Sequence, residues 1–229
     1  MTRFAGATIA LIVLICSFTF AQEATPKVEV FGGYSLLHAD TGGLTGATLD
    51  STLRAPAGTF GVASNFNGWN AEAQYNLKRR LGIVADISGH YGTPITASSS
   101  GVSGLPNINE YSFLAGPVFS FKTRARMTPF VHALFGWDRR SLNASILSGL
   151  SSAVSSSATT YSDFAMALGG GLDYKLSRHF AVRVGQLDYL YTGRDLNSFY
   201  GSAFGLGLFQ GLATHENNLR FSTGIVLRF

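Results

Sequence analysis

The sequence predicts an all-β protein, an eight-stranded antiparallel up-and-down barrel that crosses a membrane with its strands. Three observations predict it. The first is the final stretch, in which Leu219, Phe221, Thr223, Ile225, Leu227 and Phe229 share one face of an extended strand, while Arg220, Ser222, Gly224, Val226 and Arg228 share the other. A chain that stops on an apolar-face aromatic leaves a sticky edge in water, whereas in a closed barrel the last strand pairs with the first and no edge remains. The second is composition: 46% hydrophobic and only 13% charged, with 27 Gly and 18 Phe in 229 residues, where globular domains average about a quarter charged. The third is a series of further alternating runs, each longer than the ~9–11 residues that a tilted strand needs to cross hydrocarbon.

The N-terminus reads as an export signal. Arg3 supplies the positive start, Ala5 to Phe20 is nearly continuous apolar sequence, and Thr19 and Ala21 place small residues at the −3 and −1 positions of a cut after Ala21. Residues 1–21 are expected to be a cleaved signal peptide and residues 22–229 the barrel domain. The competing reading, an uncleaved anchor helix, asks for about 20 apolar residues, more than this run supplies. Cys16, the one cysteine, lies inside the run, and Ile15 before it is not the small residue of a lipoprotein site. The mature chain is thus expected to use no disulfide, thiol catalysis or cysteine metal site.

The first strand is Lys27 to Ala39. Val28, Val30, Gly32, Tyr34 and Leu36 share a face, and the opposite face mixes Glu29, Gly33 and Ser35 with Phe31 and Leu37. A Gly/Thr/Ala-rich segment, Asp40 to Asn65, follows as an irregular connection. Strand two, Phe66 to Lys78, sets Trp69, Ala71, Ala73, Tyr75 and Leu77 against Asn70, Glu72, Gln74 and Asn76. After a turn at Arg79 and Arg80, strand three sets Ile83, Ala85, Ile87, Gly89 and Tyr91 against Val84, Asp86, Ser88 and His90. Pro94 to Asn107 reads as a second irregular segment.

Strand four, Ile108 to Lys122, turns Tyr111, Phe113, Ala115, Phe119 and Phe121 away from Glu110, Ser112, Gly116 and Ser120. Pro117 predicts a bulge there, since proline cannot donate to a ladder. Strand five, Thr128 to Arg140, puts Val131, Ala133, Phe135 and Trp137 outward and His132, Gly136 and Asp138 inward. Ser141 to Thr160 is a polar loop without charge. Strand six, Tyr161 to Lys175, sets Phe164, Met166, Leu168, Leu172 and Tyr174 against Asp163, Ala165, Gly169, Gly171 and Asp173. Strand seven, His179 to Thr192, places Arg183 inward, but continued parity would send Gln186 and Asp188 into lipid, so a bulge at Gly185 or Gln186 is expected. Gly193 to Ala213 is rich in Gly and Phe, and its Phe204, Leu206 and Leu208 alternate. Strand eight begins near His215.

Connections therefore alternate long and short, the layout of an outer-membrane barrel. The export signal puts both termini and the short basic turns in the periplasm and the long connections outside. Tyr34, Trp69, Tyr75, Tyr91, Phe121, Trp137 and Tyr174 fall towards strand ends, where interfacial girdles lie.

Ser222, Gly224, Leu227 and Phe229 fill the defined positions of the C-terminal assembly signal of bacterial outer-membrane barrels: polar, any, Gly, any, any, hydrophobic, any, aromatic. With the strand pattern and the Gly-rich sixth strand Leu168-Gly169-Gly170-Gly171-Leu172-Asp173-Tyr174, residues 27–229 resemble the small outer-membrane β-barrel family, which includes the transmembrane domain of outer-membrane protein A, outer-membrane protein X and opacity-type surface antigens. The resemblance implies a bacterial outer-membrane location, contact with outer-membrane lipids, and recognition of the last strand by the barrel-assembly machinery. Because the chain ends at Phe229, no periplasmic peptidoglycan-binding domain is expected.

The interior-facing candidates are Glu29, Glu72, Asp86, His90, Glu110, His132, Asp138, Asp163, Asp173, Arg183, Arg220 and Arg228. An eight-stranded barrel is just wide enough for side chains to fill it, and buried charges must pair. One reading is a polar plug; the other is a narrow cation-favouring pore, because carboxylates outnumber arginines. Asp86, Ser88 and His90 on one strand face suggest the nucleophile system of an outer-leaflet lipid-modifying enzyme, an acyltransferase or deacylase, but i, i+2, i+4 spacing is what any polar strand face provides. The five His residues show no ligand spacing, so no metal or cofactor is expected. The basic segments at Lys78–Arg80, Lys122–Arg126 and Lys175–His179 read as solvated turns rather than a nucleic-acid surface. The expected role is non-enzymatic: a membrane anchor whose loops meet an extracellular ligand.

Overall fold

The computed structural model describes residues 26–52, 54–98, 107–121, 126–144, 157–198 and 211–229. The expected signal peptide at residues 1–21 with Cys16, Lys122 and Arg124, and the aromatics Phe199, Tyr200, Phe204 and Phe209 with Leu206 and Leu208 lie outside the described residues.

Eight strands close into one antiparallel barrel: β1 (Val28–His38), β3 (Asn65–Asn76), β4 (Leu81–Gly92), β6 (Asn107–Ser120), β7 (Met127–Ala144), β8 (Ser157–Lys175), β9 (Phe180–Thr192) and β10 (Glu216–Arg228). Each pairs with its sequence neighbour in the barrel, and β10 returns to β1. The closing seam runs from Glu29 opposite Arg228 to His38 opposite Leu219. Phe229 extends it, its N–H donating to the Val28 carbonyl at 2.9 Å. The barrel has no open strand edge, which a lipid-facing sheet requires.

Alternation sends large apolar side chains outward: Trp69, Ile83, Ile87, Phe113, Phe135, Trp137, Leu168 and Ile225 are all exposed. The opposite face is not uniformly polar. Leu37, Phe66, Val84, Leu114, Phe130, Leu134 and Leu190 form a buried apolar cluster inside the barrel, and Phe31 joins Ala181 and Val226 in a second. This explains the mixed alternation of the first strand: Phe31 and Leu37 point inward with Glu29 and Ser35.

The bulge of β9 sits at Val184–Gly185. Asp173 pairs with Arg183, and the next pair is Leu172 with Gly185. Arg183, Gln186 and Asp188 all point inward as a result. At Pro117 the expected bulge is absent. β6 keeps one register with β7 on both sides, Ala115 opposite Phe135 and Val118 opposite His132, and pairing only lapses between them.

Two segments read as irregular are structured against each other. Asp40 to Asn65 contains α1 (Gly46–Thr52) and β2 (Phe60–Val62), and Pro94 to Asn107 contains β5 (Ile95–Ala97). β2 and β5 form a separate two-stranded sheet. Thr45 caps α1, its hydroxyl accepting from the Thr48 N–H at 3.2 Å. Buried Asp50 then ties the turn after the helix to β2 by accepting from the N–H groups of Gly58 at 2.7 Å and Phe60 at 2.9 Å. The third long connection is shorter than its composition suggests, since the β7–β8 ladder continues to Ala144 opposite Ser157.

Candidate functional site

The barrel interior holds three tiers of ion pairs; some join neighbouring strands, and others, Arg183 to Glu72, Arg220 to Asp86 and Arg140 to Glu216, join strands that do not pair and so span the lumen. At the short-turn end, Arg183 on β9 donates to Glu72 on β3 at 2.6 Å and to Asp173 on β8 at 2.9 Å. Its guanidinium carbon lies 4.2 Å from the ring centre of Phe31 and 4.3 Å from that of Phe130, so inward-facing aromatics cover the faces of an ion held by carboxylates at its edge. Arg228 pairs with Glu29 at 2.8 Å and Asp173 at 3.5 Å. Gln186 links upward, its amide donating to Glu72 at 2.8 Å and to Asp188 at 2.9 Å.

At mid-height, Arg220 on β10 reaches Asp86 on β4 at 2.8 Å and Asp188 on β9 at 2.8 Å, with Ser88 accepting a further bond at 2.9 Å. Each carboxylate receives two guanidinium N–H groups, the planar fork that suits arginine rather than lysine. Asn70 donates to Asp86 at 2.7 Å, and His132 Nε2 lies 2.9 Å from Asp188. Arg220, Asp86, Ser88 and Asp188 are each 0% exposed, so no water-sized space touches them.

Towards the long connections, Arg140 joins Glu110 and Glu216. Arg194, which follows β9, donates to Asp138 at 2.5 Å and to Asp163 and Glu216 at 2.9 Å each. Burial and the neighbouring Arg140 pull the Arg194 guanidinium towards its neutral form; Glu216, Asp138 and Glu110 outweigh them and raise its pKa above the ordinary arginine value.

Above this tier sits an apolar cap. Leu44 and Leu49 from α1 and its approach, Phe60 of β2, Ile95 of β5, Ile108 at the rim, and Leu196 and Leu212 of the last connection are buried together. One residue separates Arg194 in the polar tier from Leu196 in the cap, so one short segment pins the cap to the barrel. Backbone bonds from Leu196 N–H to Ala213 and from Ala213 N–H to Gly42 hold the segment in place, at 3.1 Å and 3.0 Å. Gly42 has φ 59°, a conformation that favours glycine, and a Cβ there would stand 2.1 Å from a Leu196 methyl, which would have to move.

The family model described as outer membrane protein beta-barrel domain matches residues 7–209. The chain belongs to that family. Among solved structures this outer-membrane barrel is similar to Ail, the attachment invasion locus protein of Yersinia pestis, at 15% identity and TM-score 0.53, with 90% of this chain and 99% of that one covered. It is similar to Neisserial surface protein A at 15% identity and TM-score 0.54, covering 90% and 100%. Identities this low carry the fold alone. No curated protein matches the chain.

Of the interior candidates, Glu72, Asp173 and Arg183 meet in one tier, with Glu29 and Arg228 joined to them through Asp173. Asp86 meets Arg220, Glu110 meets Arg140, and Arg194 bridges Asp138 and Asp163. His132 contacts Asp188, while His90 stands apart with its Nε2 2.9 Å from Ser35. Ser88 is bonded to Arg220, so Asp86, Ser88 and His90 do not form a relay. Among the described residues no group of His, Cys, Asp and Glu converges to hold a metal; the carboxylates converge on guanidinium groups.

Arg140, Arg194 and Glu216 complete the tiers without having been among the candidates, and Gln186 and Asp188 join them through the bulge that the alternation of the seventh strand predicts. Arg140 shares the parity of Asp138, and Glu216 that of Arg220, so alternation carried a signal for both. Arg194 lies beyond a strand, where no periodicity operates. The assembly-signal residues lie in β10: Ser222 opposite Ser35, Gly224 opposite Gly33 and Leu227 opposite Val30, followed by outward-facing Phe229.

Proposed function

We propose that this outer-membrane barrel is a non-enzymatic, non-conducting anchor that presents its capped long connections to the outside. The observation that carries the reading is the Arg220 tier at mid-height, where Arg220, Asp86, Ser88 and Asp188 are each 0% exposed. An ion path there would need the Arg220 pairs to open, and each buried ion stripped of its partner costs several kcal/mol. The N-terminal segment, Met1 to Ala21, is read as the export signal, and Ser222, Gly224, Leu227 and Phe229 as the element that the barrel-assembly machinery binds.

The presented surface carries little charge. Exposed Arg54, Arg139 and Asp195 and half-buried Asp40 and Asp163 are its ionised groups among the described residues, and residues 93–106, 145–156 and 199–210 contain no Asp, Glu, Lys or Arg. Ail has been solved with the heparin analogue sucrose octasulfate; a polyanion of that kind needs clustered cations, which these connections lack. A partner with a neutral, hydroxyl-rich or apolar surface fits better. Single-channel recording of the refolded protein in a planar bilayer tests the sealed reading, with the heat-modifiable gel shift as proof of folding. A silent bilayer is expected. Steady openings whose cation preference drops in Glu72→Gln and Asp86→Asn variants would replace this reading with a pore.

A further inference from the structure

The short-turn end of the barrel carries a one-sided charge pattern. Lys27 before β1, Lys78 and Arg80 in the β3–β4 turn, Arg126 before β7 and Arg178 in the β8–β9 turn are all exposed. Among the described residues of this end the side-chain carboxylates are Glu29, Glu72 and Asp173, and all three are turned into the lumen and bonded to Arg228 or Arg183. The cations sit beside the last lipid-facing side chains: exposed Leu77 and Leu81 bracket Lys78 and Arg80, Met127 follows Arg126, and Leu176 and Phe180 bracket Arg178. With apolar neighbours in hydrocarbon and long flexible stems, these groups lie at headgroup height. The β3–β4 and β8–β9 turns are too short to project further.

We propose that this basic collar binds anionic phospholipid headgroups of the periplasmic leaflet, holding a ring of phosphatidylglycerol-type lipids around the base of the barrel. The chemistry is phosphodiester to guanidinium or ammonium at a low-dielectric boundary. It depends on the barrel lying in a membrane and not on whether the lumen conducts.

The test is electron spin resonance of the refolded protein in phosphatidylcholine vesicles doped with spin-labelled phosphatidylglycerol or spin-labelled phosphatidylcholine. The fraction of motionally restricted label should favour phosphatidylglycerol by about fivefold per contacting lipid at low salt, the equivalent of about 1 kcal/mol per cation near the surface. The preference should collapse at 1 M NaCl, where the screening length is about 3 Å. It should also vanish in K78Q/R80Q/R126Q/R178Q, with restricted phosphatidylcholine and the gel shift unchanged, and survive in R54Q/R139Q, which neutralises cations towards the opposite end. Equal restriction of both lipids, a salt-insensitive preference, or loss of preference in R54Q/R139Q overturns the proposal. So does cosedimentation with peptidoglycan sacculi that the four-fold variant abolishes while wild-type protein shows no lipid preference. If the four-fold variant does not fold, the wild-type salt series decides.

Discussion

Arg220 shows how a polar lumen is held together. Its one guanidinium neutralises Asp86 and Asp188, which approach from strands on opposite sides of the barrel. Arg220→Met leaves two buried carboxylates with only Asn70, Gln186 and His132 beside them. Its unfolding free energy should fall by about 3–5 kcal/mol, the usual result of breaking one side of a buried pair, read from the denaturant midpoint of the heat-modifiable band. Adding Asp86→Asn and Asp188→Asn should restore much of the loss, because removing all the charges together is often close to neutral. Two glycines set a contrast at the closing seam. A Cβ on Gly224 would lie 2.3 Å from the Gly32 carbonyl oxygen, whereas a Cβ on Gly32 meets nothing within 4 Å. Gly224→Ala should therefore reduce the yield of heat-modifiable protein, and Gly32→Ala should leave it near wild type.

The cap is the element that strand periodicity could not reveal. β2 and β5 are three residues each, too short to show period two, and each is ordered by the other across a long stretch of chain. Leu49 is 0% exposed in its cluster. Leu49→Ala should cost about 2–5 kcal/mol, and that loss should be local: protease cleavage between Thr52 and Thr59 should rise steeply while the barrel's gel shift stays unchanged. If cap and barrel unfold together instead, the cap is part of the barrel's cooperative unit. The missing bulge at Pro117 has a simpler cause. Ladder pairing lapses there without a change of register, so the strand accommodates proline by forgoing local pairing rather than by inserting a residue.

At the scale of the molecule, the arrangement is inside out relative to a soluble carrier barrel: ion pairs within, Phe, Leu, Ile and Trp without. Phe135, outward on β7 between Trp137 and Val131, lies near mid-height. Phe135→Arg should destabilise the vesicle-inserted protein by about 2–4 kcal/mol, and an Arg at Tyr174, close to the short-turn rim, by about 0–1 kcal/mol, both measured by equilibrium unfolding in bilayers. Equal penalties at the two depths would contradict a bilayer around this face. The inner apolar clusters and the outer apolar band also explain why composition alone is ambiguous: both membrane and secreted β proteins can carry 46% hydrophobic residues, and only the partition between faces separates them.

The sequence by itself determined the strand count of the barrel, its closed architecture and the parity of most of its side chains, because a strand's two faces are set by local geometry and lipid imposes apolarity on one of them. Glu72, Asp86, Glu110, Asp173, Arg183 and Arg220 could be put on a common face for that reason. Which carboxylate meets which arginine was decided only in the tertiary structure, since lumen contacts such as Arg183 to Glu72 join strands that do not pair and depend on stagger and on the β9 bulge. The same holds for the cap and for Arg194, whose place is set by packing against segments distant in the chain rather than by any repeat in their own residues.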